Sequence, residues 1–192
     1  MPGEQVDLLT DRALLARCGS GDRDACGAFL ARHLDAAFRY ARALTGDPVL
    51  AEDAVQDAFV AAMRGASGFA GGESARGWIL TITRNSCHRQ HRRRVGQPAR
   101  FEGLDELGVA AGWGADPEEI MVAREDRAAF TRALGSLGPD DQEILVLRDL
   151  EGLSGDDAAA MLGVPLATMK TRLHRARLRL AGALREGGLG VT

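Results

Sequence analysis

The chain has 192 residues, 45% of them hydrophobic and 5% aromatic, and carries a formal net charge of −3. That length holds one domain or two small ones, with a core resting on Leu, Ala, Val and Ile because rings are scarce. A membrane-spanning segment is excluded, since no apolar run reaches the ~20 residues a bilayer requires, and no secretory leader is expected.

Almost every stretch reads as helix or turn and alternating strand patterns are absent, so the expected fold class is all-α. A first helical block covers residues 7–94. Asp11 to Cys18 opens it, and Gly19 to Asp22 is a turn ending in a capping aspartate. Asp24 to Leu44 follows, with Phe29, Leu30, Leu34, Phe38 and Ala41 expected inward. At Thr45 to Pro48 one helix stops and another starts: Gly46 ends the first, Asp47 caps the second and Pro48 opens it. From Val49 to Arg64 the apolar side is Ala51, Ala54, Val55, Ala58, Phe59 and Ala62, while Glu52, Asp53, Gln56 and Asp57 lie off it. Glu52 and Asp53 oppose the positive end of the helix dipole, which is stabilising in itself. Asp57 lies beyond the first turn and points to a basic partner surface.

Gly65 to Gly77 is a Gly- and Ser-rich loop, suited either to presenting backbone to a ligand or to serving as a connector. The helix after it runs from about Ala75 to Arg94, with Trp78, Ile79, Ile82 and Ser86 inward. Its second half gathers Arg84, Asn85, His88, Arg89, Gln90, His91, Arg92, Arg93 and Arg94. Cations interleaved with amides and planar rings suit a single nucleic-acid strand whose bases are splayed and stacked. Cations at a helix C-terminus also serve stability alone.

Residues 95–116 form a Gly-rich tether with interspersed acids and no sustained period, expected to be extended. Asp116-Pro117 begins a second block, 117–186, with a helix from Glu118 to Leu134. Asp140 is expected to cap the helix that holds Ile144, Leu145, Leu147 and Leu150. Ser154 caps Gly155 to Leu162, Gly163 stops that helix, and Pro165 fits the first turn of the next. Two helices joined by such a turn make a helix-turn-helix, whose second helix reads DNA. In that helix Met169, Leu173, Ala176 and Leu180 form one buried stripe. Thr168, Lys170, Thr171, Arg172, His174, Arg175 and Arg177 occupy the other sides, and no acid interrupts Pro165 to Leu180. Thr168 to Arg172 are placed to reach base edges; Arg175, Arg177 and Arg179 are placed along the phosphate backbone.

The net charge conceals segregation. Arg84–Arg94 and Lys170–Arg179 are basic, while Glu102–Asp126 is acidic. The acidic part repels phosphates, so the isolated chain should bind DNA weakly and need a larger partner to present it. Cys18, Cys26 and Cys87 lack zinc spacing, and their odd number argues against a full disulfide framework; three reduced, packed thiols are expected. Ser, His and carboxylates are scattered without a triad or a metal arrangement. No enzyme activity, catalytic residue, metal or cofactor is therefore expected.

Four pieces carry a resemblance: GDRDACGAFLARH from Gly21, LTGDPVLAEDAVQDAF from Leu44, GWILTITRN from Gly77, and LRDLEGLSGDDAAAMLGVPLATMKTRLHRARLRL from Leu147. In this order they resemble a small sigma factor of bacterial RNA polymerase, of the extracytoplasmic-function (ECF) type in the sigma-70 family. The resemblance implies a region 2-like bundle and a region 4-like helix-turn-helix joined by the acidic linker. It implies core RNA polymerase, promoter DNA and an anti-sigma factor as partners, and a cytoplasmic, nucleoid-associated location. Glu52, Asp53, Gln56 and Asp57 are then expected on the clamp helices of the largest polymerase subunit. Ser67, Phe69, Arg76, Trp78, Arg84, Asn85, His88 and Arg92 are expected on the melted minus-ten strand. Thr168, Lys170, Thr171, Arg172, His174, Arg175 and Arg177 are expected on the minus-thirty-five duplex, with the second block seated on the flap of the second-largest subunit. The linker is expected to thread toward the active-site and RNA-exit channels.

Gly155, Ala158 and Ala167 depart from the family's usual aromatic, branched aliphatic and glycine, which is expected to loosen the helix-turn-helix; Arg89 replaces a frequent Asp. The alternative class is a stand-alone helix-turn-helix regulator. It accounts for the second block but assigns nothing to the Asp53–Asp57 face or to Trp78–Arg94.

Overall fold

The computed structural model describes residues 8–69, 71, 74–93 and 127–187, and every regular element among them is helical. The tether at 95–116 and the start of the second block lie outside the described residues.

Helix α1 (Asp11–Gly19) starts on Thr10, whose side chain accepts from the Ala13 N–H. Asp22 caps α2 (Arg23–Thr45) by accepting from the N–H groups of Asp24 and Ala25, each at 3.1 Å. Those backbone bonds, Ala25 foremost, together with Arg17 hold the Asp22 carboxyl below the usual range. Gly46, at φ 69°, ends α2 in the left-handed conformation that favours glycine, and Asp47 caps α3 (Pro48–Gly65). A 3₁₀ turn, Ala66–Gly68, leads toward α4 (Ala75–Arg93).

Helices α2, α3 and α4 meet along a seam of small side chains: Ala37, Ala41, Ala51, Ala54, Val55 and Cys87. Small residues there allow close approach between helices, the distance being set by the side chains at the contact. A second cluster joins α1 to the rest through Leu14, Leu15, Phe29, Ala62, Ala66 and Ile79. At the end of α1 a Cβ on Gly19 would stand 2.9 Å from the Ser67 backbone, so only glycine lets the 3₁₀ turn pack there.

Two expectations for this block fail. Leu34 is 46% exposed, because α2 buries two sides rather than one. Phe29, Ala37 and Ala41 face the first block; Ala36, Tyr40 and Ala43 face the second. The cysteines are not three free thiols: Cys18 and Cys26 form a disulfide across the α1–α2 turn, with Cα atoms 4.8 Å apart. The eight-residue separation brings the two ends of one turn together, a proximity that counting cysteines does not reveal. Cys87 remains a buried thiol, pushed up to about 12 by that burial.

The second block holds α5 (127–135), α6 (Pro139–Leu145), a π turn (Val146–Leu150), α7 (Gly155–Leu162) and α8 (Leu166–Glu186). Asp140 does not cap α6. Gly138 holds the cap position without a side-chain bond, Pro139 opens the helix, and Asp140 and Asp141 lie in its first turn. Pro165 stands at the cap of α8, one residue ahead of the helix. Ser154 caps α7 as expected, accepting from the Asp157 N–H at 3.0 Å, and Gly163 ends it at φ 67°. A Cβ on Gly155 would lie 3.2 Å from Leu166 Cδ1 and 3.3 Å from Met169 Cε. Side chains of α8 thus already reach the space beside Gly155, and Ala158 is fully buried; these two departures do not leave the helix-turn-helix loose.

One core cluster unites the two blocks. Ala36, Tyr40, Ala43 and Leu80 pack with Leu134, Ile144, Leu145, Val146, Leu147, Leu153 and Ala158. Leu80, fully buried, was not among the expected inward residues of its helix.

Candidate nucleic-acid interface

Helix α8 is held by Met169, Leu173 and Ala176, at 1%, 7% and 0% exposure. Lys170, Thr171, Arg172, His174, Arg175 and Arg177 are exposed, and Thr168 is half-buried. The buried stripe therefore aims the basic residues outward. Arg172 and Arg175 line a cleft with Gly138, Pro139, Asp140 and Asp141 at the start of α6. Arg177 is not bare: it forks onto Asp149 at 3.0 and 2.5 Å, and that hydrogen bond is what chiefly raises its basicity. Arg179 pairs with Asp141. Both arginines are more than half exposed, and surface pairs of this kind are weak enough to exchange for a phosphate.

The second basic surface lies on α4. Asn85, His88 and Arg92 are exposed on its C-terminal half. Burial first, and then the charge of Arg84, lowers the His88 pKa below the ordinary histidine value. At the other end Ser67 is exposed, while Phe69 packs on Trp78 with ring centroids 5.3 Å apart. Trp78 also meets Phe29 at 6.3 Å, so the two rings expected at a strand-binding loop are anchored to the core. Gln90, in the amide orientation that satisfies both its groups, turns back to Leu50 and Ala54 of α3.

Arg76 and Arg84 are placed differently from the expectation. Arg84 Nε donates to Glu143 Oε1 at 2.7 Å. Arg76 Nη1 donates to the Glu151 carbonyl oxygen at 2.8 Å, with its carboxylate 3.9 Å away. Both acids come from the second block and are nearly inaccessible, Glu143 at 7% and Glu151 at 1% exposure. Tyr40 donates to the same Glu143 oxygen at 2.7 Å, and Arg39 forks onto Glu151 at 2.9 and 3.1 Å. Burial, and after it the charge of Glu143, pushes the Tyr40 pKa well above the usual phenol, so the hydroxyl stays a donor. Sequence reasoning missed Arg39, Tyr40, Glu143 and Glu151. The one available signal was Glu143, at the head of the apolar run Ile144 to Leu147 with no basic residue three or four positions away; Glu151 has Arg148 three residues before it and offered none.

On α3, Glu52, Asp53, Gln56 and Asp57 share one exposed face, as expected. Val60 and Met63, about 40% exposed, extend that face and were not foreseen. Among the described residues no group of His, Cys, Asp or Glu is arranged to hold a metal, and no helix is long and apolar enough to cross a membrane.

Sigma-70 region 2 matches residues 29–96, and sigma-70 region 4 matches residues 127–180. The chain is 34% identical over 179 residues to the RNA polymerase sigma factor CnrH of Cupriavidus metallidurans, covering 91% of this chain and 94% of the relative. The chain is an ECF sigma factor of the sigma-70 family. It is also 34% identical over 182 residues to the ECF sigma factor SigM of Mycobacterium tuberculosis, covering 95% of this chain and 88% of that one. Among solved structures, it is similar to the sigma factor RpoE of Bartonella quintana in complex with the anti-sigma factor NepR. That likeness has a TM-score of 0.65 and 29% identity, over 81% of this chain and 94% of the other. In this ECF sigma factor, α2 from Phe29 onward, α3 and α4 thus lie in the region 2 match, and α5 to α7 with α8 as far as Leu180 lie in the region 4 match.

Proposed function

We propose that this ECF sigma factor directs core RNA polymerase to promoters through two separate DNA surfaces, divided as residues 7–94, a linker at 95–116, and residues 117–186. The observation that carries the reading is the outward basic face of α8, fixed by a buried stripe and a Gly163 turn. Thr168, Lys170, Thr171, Arg172 and His174 read base edges of the minus-thirty-five duplex in the major groove, while Arg175 and Arg177 grip phosphates.

The α4 surface captures the melted minus-ten strand. Asn85, His88 and Arg92 take the strand, Ser67 and the Phe69–Trp78 pair border the base pocket, and Arg76 and Arg84 supply charge. Each stacked base returns about 1–3 kcal/mol, which offsets strand separation without any chemical step, so no catalytic residue is required. Glu52, Asp53, Gln56 and Asp57 dock on the clamp helices, with Val60 and Met63 adding apolar contact. Two modest modules on one chain gain effective concentration once both engage the polymerase.

An anti-sigma factor controls it from outside, in line with the partner bound in the Bartonella quintana structure. It works in the cytoplasm, on the nucleoid. Reconstituted run-off transcription tests the reading: core enzyme plus this chain initiates at new mapped sites. Tight specific duplex binding without polymerase, and no new start sites, would instead favour a stand-alone regulator.

A further inference from the structure

We propose that the Cys18–Cys26 disulfide is a redox control on the minus-ten pocket: closed, it holds the end of α1 against the pocket turn, and its reduction releases that support. The inference rests on the strand-capturing role proposed above for Ser67, Phe69 and Trp78. Its basis is the position of the two cysteines.

Cys18 lies in the last turn of α1 and Cys26 in the first turn of α2. Gly19, the residue after Cys18, is where a Cβ would stand 2.9 Å from the Ser67 backbone. Helix α1 meets the loop a second time through Arg12, whose Nε would lie 3.4 Å from a Cβ on Gly71. Cys18 and Cys26 also belong to the same apolar cluster as Ala66, Phe69 and Trp78. The disulfide thus shares its packing with both rings of the pocket.

The two ends of α1 are held differently. At its start Asp11 accepts from Arg32 at 2.6 Å and lies 3.0 Å from His33, both on α2. At its end the covalent bond is supplemented by backbone bonds of the turn and by the surface pair Arg17–Asp22, at 2.6 Å. Surface pairs contribute little. Opening the disulfide therefore leaves α1 attached and loosens the end that touches Ser67.

A disulfide in the cytoplasm of a mesophile is usually transient and redox-sensing, because thiol pools there reduce it. The exchange partner is a low-molecular-weight dithiol. Its thiolate attacks the sulfur of Cys26, which is half-buried where Cys18 is buried. A mixed disulfide forms, the protein S–S bond breaks, and Cys18 leaves as a thiolate that takes up a proton. The second thiolate of the reagent then displaces Cys26, which is protonated in turn. The protein gains two electrons and two protons, and the dithiol becomes a cyclic disulfide. The same exchange run backwards closes the bond. Cys87 is buried in another cluster, between α2, α3 and α4, and takes no part.

The test uses the full chain, oxidised or reduced with dithiothreitol, with each cysteine's state read by alkylation and mass spectrometry. Amide hydrogen exchange follows residues 66–69, where the Phe69 N–H donates to the Ala66 carbonyl. Reduction should speed exchange there about fivefold or more, with the middle of α3 unchanged. With core polymerase, run-off transcription by the reduced protein should fall about fivefold or more. The variant Cys18→Ala, Cys26→Ala should transcribe at that lower level and ignore dithiothreitol. A disulfide serving stability alone would lower the melting temperature and, well below it, move neither readout. Equal exchange in the two states, equal transcription in the two states, or a redox response of the same size in the variant overturns the proposal. If the variant fails to fold by circular dichroism, the wild-type exchange decides. Faster exchange on reduction, with no transcription in either state, refutes the promoter reading and leaves the redox coupling of the turn standing.

Discussion

Tyr40 and Arg84 donate to one and the same oxygen, Oε1 of Glu143, each at 2.7 Å. The phenol sits on α2, the guanidinium on α4 and the carboxylate on α6, so a single buried atom ties three helices and both blocks together. A hydrogen bond to a buried charged group contributes about 1.5–3 kcal/mol. Tyr40→Phe keeps the ring and removes the donor. Its expected cost is in that range, read as a lower urea midpoint by circular dichroism with the ring's packing unchanged.

The double variant Arg172→Ala, Arg175→Ala removes two guanidinium groups from the exposed face of α8 without touching its buried stripe. Promoter-specific transcription should fall at least tenfold, since the variant loses the base contact of Arg172, which contributes about 1–3 kcal/mol, together with the phosphate contact of Arg175. Co-purification with core polymerase should remain near the wild-type level. Loss of polymerase binding in this variant would count against the division of surfaces.

His33 predicts a pH dependence. It is 4% exposed, its Nε2 lies 3.0 Å from Asp11 Oδ2, and burial, the largest cause, lowers its pKa despite the Asp11 charge. The unfolded chain therefore takes up a proton at a higher pH than the folded one. Folding is unaffected well above the ordinary histidine pKa of about 6.5 and weakens as pH falls below it, until the folded ring also protonates. Melting temperatures measured between about pH 7.5 and pH 5 should drop, and less steeply in His33→Gln. An identical slope in the variant removes His33 as the cause.

Thiol chemistry separates the three cysteines. Cys87 is buried, with its pKa pushed up to about 12, so it carries almost no thiolate at neutral pH. Native protein treated with iodoacetamide should show no modification by mass spectrometry. Reductant should expose Cys18 and Cys26 to alkylation while Cys87 stays protected until denaturant is added. Alkylation of Cys18 in unreduced protein would contradict the disulfide.

The helices and their limits were legible from local chemistry alone. Gly46-Asp47-Pro48, Ser154 and Gly163 end or start helices through bonds within a few residues, and the Met169–Leu173–Ala176 stripe follows from helical period. Local signals also sufficed for the outward basic face of α8 and the acidic face of α3, because a buried stripe dictates what lies opposite it. The cap at Gly138 rather than Asp140 shows the margin of such reading, a shift of two residues where Pro139 pre-empts the start.

What only the tertiary structure decided was which charges are free. Arg76 and Arg84 look like any other cations in a basic helix, and Glu143 and Glu151 like ordinary surface acids. Their pairing spans 59 to 75 residues and depends on how α2 and α4 pack against α6 and the π turn. Leu34 and the Cys18–Cys26 bond have the same origin: a helix with two buried sides and a turn that closes on itself. Periodicity reports which face of one helix is apolar. It carries no information on which other helix, far along the chain, will cover that face or neutralise the charges beside it.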